Sequence, residues 1–255
     1  MTKPPTRAAA PRASTPATGG AKASSADEVA AFLQATRETA PVRGAGQGRL
    51  AFALDATASR QPTWALACDI QADMFAAAAA HGGLKMQIVY YRGHDECRAS
   101  PFLDDAAALR TLMSRIACEG GLTQIRRVLE HLAREAERSG LKAAVFVGDA
   151  LEESVEAITA AAGQLALRGV RLFMFQEGDD GRVEDAFRAV AAITGGAYCR
   201  FDARSGAQLR ALLSAVAAYA AGGRPALAAR ADAGTRRLLA AMGHGADGAQ
   251  REHGG

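Results

Sequence analysis

Short apolar runs alternate with longer amphipathic segments along most of the chain. Six runs predict strands: Leu50–Leu54, Leu84–Tyr91, Glu96–Ala99, Ala143–Val147, Val170–Phe175 and Ala197–Phe201. Between them, apolar residues recur every three or four positions, which predicts helices. We expect these helices to begin near Pro62, Ser100, Thr123, Val155, Phe187 and Leu209. Most of them end at glycines, the residues that best terminate a helix.

This alternation predicts the fold class. Strands that alternate with helices are typical of a mostly parallel sheet covered on both faces. Right-handed crossovers then give a doubly wound α/β fold, here with about six strands. Ligands of such folds bind beyond the carboxyl ends of the strands, where the strand order reverses. We expect the strand before Asp55 and the strand before Asp149 to flank that reversal.

Composition divides the chain into four parts. Residues 1–24 are rich in Pro, Ala, Ser and Thr and are predicted to be disordered. Residues 25–48 read as a helix that begins at a capping box, Ser25–Glu28, followed by a glycine-rich linker. Residues 49–223 form the predicted α/β domain. Residues 224–255 are basic and glycine-rich, and we expect them to be mostly flexible, with one short helix around 235–242.

The net charge of +3 comes from the two ends of the chain. Residues 1–25 and 224–255 hold nine of the 30 Lys and Arg residues but three of the 27 Asp and Glu residues. The remaining core is mildly acidic, which argues against nucleic acid as the main partner. The four cysteines form no Cys-x-x-Cys pair, and no apolar stretch is long enough to span a membrane. We therefore expect a cytoplasmic protein.

Oxygen-bearing side chains follow two of the predicted strands. Asp55, Thr57 and Ser59 end the first apolar run, and they share a face because alternate residues of an extended chain point the same way. Asp149 follows the strand Ala143–Val147, and Thr123 stands at a helix start. A buried carboxylate needs compensation, and a hard cation such as Mg²⁺ prefers oxygen ligands. These five residues are therefore candidate metal ligands.

Four of the five residues also have a simpler interpretation. Thr123 and Ser59 could cap the helices that follow them. Asp55 could be a structural carboxylate that accepts helix N–H groups, and Asp149 could be a turn residue after Gly148. Their joint occurrence at strand and helix boundaries favours the shared cation site.

This constellation resembles the von Willebrand factor type A family and its metal-ion-dependent adhesion site. That site has an Asp-x-Ser-x-Ser motif after the first strand, a Thr in a later loop and an Asp after the fourth strand. Asp55 matches the first Asp, Ser59 the second Ser, Thr123 the loop Thr and Asp149 the last Asp. The resemblance covers about Leu50 to Gly223. It departs at two positions: Thr57 stands where Ser is usual, and Ala150 where Gly is frequent.

The resemblance implies a function. Family members hold Mg²⁺ or Mn²⁺ and bind a protein ligand that supplies an Asp or Glu to the metal. A protein-binding module with no catalytic residues, no nucleic-acid partner and no membrane partner is therefore expected. One alternative is a scaffold whose degenerate site binds no metal.

An enzyme is the second alternative. Haloacid-dehalogenase-like phosphotransferases also place a nucleophilic Asp after the first strand, and Asp55-x-Thr57 resembles one branch of them. In that interpretation Asp149 would hold Mg²⁺. The glycine-containing turn expected after the nucleophile is missing here, since Pro62 opens a helix almost at once. Lys142 also begins the strand that leads to Asp149, whereas the phosphate-binding Lys should lie well upstream.

Three further acidic clusters are expected to be solvated. Glu152 and Glu153 are predicted to occupy the first turn of a helix, where the helix dipole favours them. Glu177, Asp179 and Asp180 follow a strand and are expected in an exposed loop, as is the contiguous run His94–Cys97.

Overall fold

A computed structural model describes residues 48–65, Cys68, Phe75, 84–201 and 206–251. All of them belong to one unit that extends from Ala45 to Gly255. The predicted disordered segment, the helix at Ser25 and the glycine-rich linker up to residue 47 lie outside the described residues. The same holds for most of the helix predicted after Pro62.

Six strands form one sheet in the order β3-β2-β1-β4-β5-β6. Their bounds are Arg49–Asp55 (β1), Lys85–Arg92 (β2), Glu96–Ala99 (β3), Ala143–Gly148 (β4), Arg171–Glu177 (β5) and Ala197–Phe201 (β6). All neighbouring pairs are parallel except β2 and β3, which are antiparallel. The strand order reverses at β1, so the space beyond its carboxyl end is where this topology accommodates a ligand.

Helices connect and cover the strands. Their bounds are Ala106–Met113 (α1), Ile125–Ser139 (α2), Val155–Leu167 (α3), Gly181–Thr194 (α4), Gly206–Ala228 (α5) and Ala233–Arg251 (α6). A 3-10 helix, Ala58–Arg60, follows β1, and Trp64, Ala65, Cys68 and Phe75 also have helical backbone. The helices α1, α3 and α4 begin at side-chain caps supplied by Asp105, Ser154 and Asp180.

Alternate residues of β1 enter two separate cores. Leu50, Phe52 and Leu54 pack in a cluster that includes Leu213 and Val216 of α5. Ala51 and Ala53 join a second cluster. Its other members come mainly from β4, β5 and the helices α2, α3 and α4. A strand segment buried on both faces must be apolar at every position, as β1 is from Leu50 to Leu54. The predicted doubly wound α/β fold is therefore confirmed.

The segment from Ser100 to Gly121 differs from the prediction. The helix expected to start at Ser100 begins at Ala106, after Leu103 has paired with Met86 at the edge of the sheet. Leu103 donates its N–H to the Met86 carbonyl at 2.8 Å and accepts the Met86 N–H at 2.7 Å. These two backbone hydrogen bonds extend the sheet, and they override the helix-start signal of Ser100-Pro101.

The carboxyl-terminal segment also differs from the expected flexible tail. Helix α5 bends at Gly222 and Gly223, where the backbone is not helical, and α6 then runs from Ala233 to Arg251. The side chains of Leu227, Leu238 and Met242 are buried in the core. Few large apolar residues stand in this basic, alanine- and glycine-rich segment, but Leu227, Leu238 and Met242 lie on its helices and pack against the domain.

None of the helices in the described residues is both long and apolar enough to cross a bilayer.

His131 on α2 is expected to make stability depend on pH. Its Nε2 lies 3.0 Å from Oε1 of Gln87 on β2. Burial lowers the pKa of His131 below its usual 6.5; nearby Arg134 and Arg138 lower it further, and Glu135 opposes them. The folded protein thus binds a proton at His131 less readily than the unfolded chain does. The resulting stability is fully present above about pH 6.5 and is lost as the pH falls through the folded pKa.

A His131→Gln variant removes this titration while keeping a group that can bond to Gln87. We expect its melting temperature, relative to that of the wild type, to rise as the pH is lowered from 7.5 to 5. Thermal unfolding at several pH values measures this difference. A difference in melting temperature between the two proteins that stays the same at every pH would show that His131 is not the source of the pH dependence.

Candidate metal centre

The candidate centre lies where β1 and β4 end side by side. Leu54 pairs with Val147 in the parallel register, so Asp55 at the end of β1 lies beside Gly148 at the end of β4. Asp149 is the residue that directly follows Gly148. A Cβ atom at Gly148 would lie 2.9 Å from the Phe146 ring and 3.5 Å from Cβ of Asp55. The glycine therefore leaves room for the Phe146 ring of its own strand, and its contact with Asp55 across the strand pair is an ordinary van der Waals distance.

Asp55 is fully buried, and both of its carboxylate oxygens are hydrogen-bonded. The Thr57 amide donates to Oδ1 at 2.8 Å, and the Tyr91 hydroxyl donates to Oδ2 at 2.7 Å. Burial raises the pKa of Asp55; the hydrogen bonds from Thr57 and Tyr91 oppose this rise, and the charge of Asp149 adds to it. Burial, with Asp55 close by, raises the pKa of Tyr91 well above its usual 10. Tyr91 therefore stays protonated and serves as a donor.

The loop after β1 brings two hydroxyl groups to the same place. Thr57 Oγ1 and Ser59 Oγ share a hydrogen bond of 3.0 Å. Thr57 is buried and pairs with Glu119 in a parallel bridge, while Ser59 is exposed. The structure thus brings together Asp55, Thr57 and Ser59.

Asp149 contributes the second carboxylate. Its Oδ1 atom is buried and has no hydrogen-bond partner among the described residues. A buried carboxylate oxygen without a partner is costly. A cation is the partner that would best compensate an unpaired oxygen beside a second buried carboxylate.

Thr123 is held by the loop that follows Asp149. Its amide donates to Glu152 Oε2 at 2.9 Å, and its Oγ1 accepts the Glu152 amide N–H at 3.0 Å. The simpler interpretation of Thr123 as a helix cap is wrong, because the residue before α2 is Gln124. The carboxylate of Glu153 caps α2 instead, accepting the amides of Ile125 and Arg126.

The structure thus connects the five predicted ligands to different degrees. Asp55, Thr57 and Ser59 are linked directly by hydrogen bonds. Asp149 directly follows β4, the strand that pairs with β1, and its charge acts on Asp55. Thr123 is bonded to Glu152, three residues after Asp149, and within the described part of the chain it makes no hydrogen bond to the other four.

The prediction for Glu152 and Glu153 was right about the exposure of Glu152 but wrong about their place and contacts. They precede the N-cap of α3, Ser154, and bind the loop and helix that follow Gly121. Tyr91 was not identified from the sequence. Its signal was available: it is the last residue of the strand predicted over Leu84–Tyr91, and it pairs in register with Asp55.

A buried ion pair holds the loop that carries Thr57 and Ser59. The Arg60 guanidinium, 1% exposed, bonds to the carboxylate of Glu177 at the end of β5. Thr63 Oγ1 also donates to this carboxylate at 3.1 Å. Glu177 therefore does not lie in a solvated loop as expected, and Arg60 had not been singled out from the sequence.

The donor set fits a hard divalent cation. Two carboxylates and three hydroxyls are the oxygen ligands that Mg²⁺ and Mn²⁺ accept, with water completing the coordination. No group of three or more His, Cys, Asp and Glu residues among the described residues could hold a metal. The candidate set has two residues of these types, Asp55 and Asp149. Cation binding here would therefore need the hydroxyl groups of the set and the unpaired oxygen of Asp149.

Comparisons with known proteins show the fold. No family model and no curated protein sequence matches the chain. Many solved structures do match the chain. Among them are a von Willebrand factor type A protein from Catenulispora acidiphila (18% identity, TM-score 0.58), the pilus adhesin SpaC from Lactobacillus rhamnosus GG (9%, 0.55) and the SpRpn10 VWA domain (9%, 0.52). The matches cover 69%, 68% and 64% of this chain and 43%, 30% and 94% of those chains, respectively.

The chain has a von Willebrand factor type A fold. At these identities the similarity establishes the type A fold alone. The chain spans less than half of the length of the first two structures that it matches.

The Arg60–Glu177 pair is expected to contribute strongly to stability. Glu177→Gln leaves a buried guanidinium without its counter-charge, which typically costs roughly 3–5 kcal/mol. The matched control is Glu130→Gln, which breaks the exposed pair with Arg126 and should cost about 0–1 kcal/mol. Denaturant unfolding measures both changes, and equal losses in the two variants would contradict a structural role for the buried pair.

Proposed function

We propose that the chain is a protein-binding module that holds Mg²⁺ or Mn²⁺ beyond the carboxyl ends of β1 and β4. An acidic residue of a partner protein would complete the coordination. The observation that carries the proposal is the buried, unpartnered Oδ1 of Asp149 beside the buried carboxylate of Asp55.

Each ligand has a distinct role in this proposal. Asp55 and Asp149 supply negative charge, while Thr57, Ser59 and Thr123 supply neutral hydroxyl oxygens. A cation with few charged ligands attracts a further carboxylate, here that of the partner. Asp55 is oriented by the Thr57 amide and the Tyr91 hydroxyl, and Thr123 is oriented by Glu152. The loops are thus organised before a ligand arrives.

The fold is consistent with a binding role. One of the solved structures that share it is a pilus adhesin. The proposed partner of this chain is a protein that presents an Asp or Glu residue, and its identity is left to experiment.

Two observations disfavour the phosphotransferase alternative. Asp55 is buried and each of its oxygens accepts a hydrogen bond, which leaves one lone pair per oxygen for a small cation but no room for a phosphate ester to approach the carboxylate as in-line attack requires. Lys142 precedes the amino end of β4, and its Nζ lies 3.5 Å from the Arg168 carbonyl oxygen. Asp55 stands at the carboxyl end of the parallel strand β1, so Lys142 lies at the other end of the strands and does not neutralise a phosphate bound at Asp55.

Cation binding is tested by thermal unfolding with and without Mg²⁺ or Mn²⁺. A ligand at one hundred times its dissociation constant stabilises the folded state by about 2.7 kcal/mol, so a clear rise in melting temperature is expected. Asp149→Asn should abolish the rise. Without metal, this variant should be as stable as the wild type or more so, because it relieves the repulsion between Asp149 and Asp55.

Asp179→Asn is the matched control, since Asp179 is exposed in the loop after β5. It should keep the full response to metal. No response in the wild type would support a metal-free scaffold instead. Hydrolysis of p-nitrophenyl phosphate that is lost in Asp55→Asn would support the phosphotransferase.

A further inference from the structure

The Tyr91 side chain reaches the candidate metal centre from β2, which borders β1 on the side away from β4. Tyr91 pairs in register with Asp55, and its carbonyl oxygen accepts the Ala56 amide at 3.0 Å. Its hydroxyl donates to Asp55 Oδ2 at 2.7 Å, and the residue is fully buried. The candidate ligand Asp55 is therefore tied to a strand that supplies none of the five predicted ligands.

The Tyr91 ring is held in place by other aromatic rings. It lies nearly parallel to the ring of Phe146 on β4, with the centroids 6.3 Å apart and an angle of 18° between the planes. Phe146 in turn meets Phe187 of α4 edge to face, with the centroids 5.5 Å apart. All three side chains are buried, so the core of the domain sets the position of the Tyr91 hydroxyl.

Two donors from different parts of the fold fix the direction of the Asp55 carboxylate. The Thr57 amide, in the loop after β1, donates to Oδ1 at 2.8 Å, while Tyr91 on β2 donates to Oδ2. Each oxygen keeps one lone pair for a cation. A rotation of the carboxylate to present both oxygens to one ion would break a buried hydrogen bond, which is unfavourable. Asp55 is thereby limited to contact through one oxygen.

This limit distinguishes Mg²⁺ from Ca²⁺, because the two ions need different ligands. Mg²⁺ takes about six oxygens in a compact octahedral arrangement and keeps several waters. Ca²⁺ is larger, takes about six to eight oxygens in a flexible arrangement and often binds both oxygens of a carboxylate. A rigid donor set in which Asp55 offers one oxygen suits the smaller ion.

We propose that the Tyr91 hydroxyl makes the candidate metal centre selective for Mg²⁺ or Mn²⁺ over Ca²⁺ by holding Oδ2 of Asp55. Tyr91 is a positioning residue, since it acts through Asp55 and does not itself bind the cation. This inference rests on the proposed function and adds to it the selectivity of the site and the residue that sets this selectivity. Loss of a group that orients a metal ligand typically changes metal affinity by about 10- to 100-fold.

The test compares the affinities of the full chain for Mg²⁺ and Ca²⁺, measured by isothermal titration calorimetry with their chloride salts. The wild type is expected to bind Mg²⁺ more tightly than Ca²⁺ by about tenfold or more. Tyr91→Phe keeps the ring and its packing and removes only the hydroxyl. We expect its preference for Mg²⁺ over Ca²⁺ to fall by about tenfold, because Asp55 is then free to turn toward the larger ion.

Tyr198→Phe is the matched control. The Tyr198 hydroxyl also donates at 2.7 Å, but to Oε1 of Gln176, between β6 and β5. Each variant loses one tyrosine hydrogen bond, so both should melt below the wild type in the absence of metal. Tyr198→Phe should keep the wild-type preference between the two ions. A purely structural role of Tyr91 would lower the melting temperature of Tyr91→Phe and leave its ion preference unchanged.

Three results would overturn the inference. These are a wild type that binds Ca²⁺ as tightly as Mg²⁺, an unchanged preference in Tyr91→Phe, or an equal change of preference in Tyr198→Phe. The first result needs the wild type alone, so it applies whether or not Tyr91→Phe folds. A wild type that binds none of Mg²⁺, Mn²⁺ and Ca²⁺ would instead refute the proposed function itself.

Discussion

The buried carboxylate of Asp55 is the constraint on which the site depends. It stands at the end of the central strand, where the strand order reverses and where both faces of the sheet are covered. Hydrogen bonds from the Thr57 amide and the Tyr91 hydroxyl stabilise its ionised form, whereas the negative charge of Asp149 destabilises that form. The charge of Asp149 acts on Asp55, and Asp149 Oδ1 has no partner among the described residues; these two observations are the ground on which we propose a cation here.

Contacts from outside the ligand set hold the ligands in place. Arg60 and Glu177 join the loop after β1 to the end of β5, and Glu152 holds Thr123. Each contact links segments far apart in the chain, so the ligand positions are fixed by the folded domain as a whole.

The sequence predicts the fold well because a doubly wound sheet needs apolar strands and amphipathic helices, and both patterns are readable locally. It also nominates Asp55, Thr57, Ser59, Thr123 and Asp149 as a set. The prediction fails where contacts are non-local. Nothing in the sequence near Glu153 indicates that it caps α2, and nothing near Arg60 indicates Glu177 as its partner, 117 positions away. Leu103 likewise leaves the predicted helix because Met86 offers backbone partners.

The most direct test of the account is a crystal structure of the chain grown with Mn²⁺, with anomalous data collected to locate the ion. The account predicts one anomalous peak beyond the ends of β1 and β4, surrounded by the carboxylates of Asp55 and Asp149 and the hydroxyls of Thr57, Ser59 and Thr123. A site without an anomalous peak, in which Asp149 Oδ1 is bonded to protein or water alone, would contradict it.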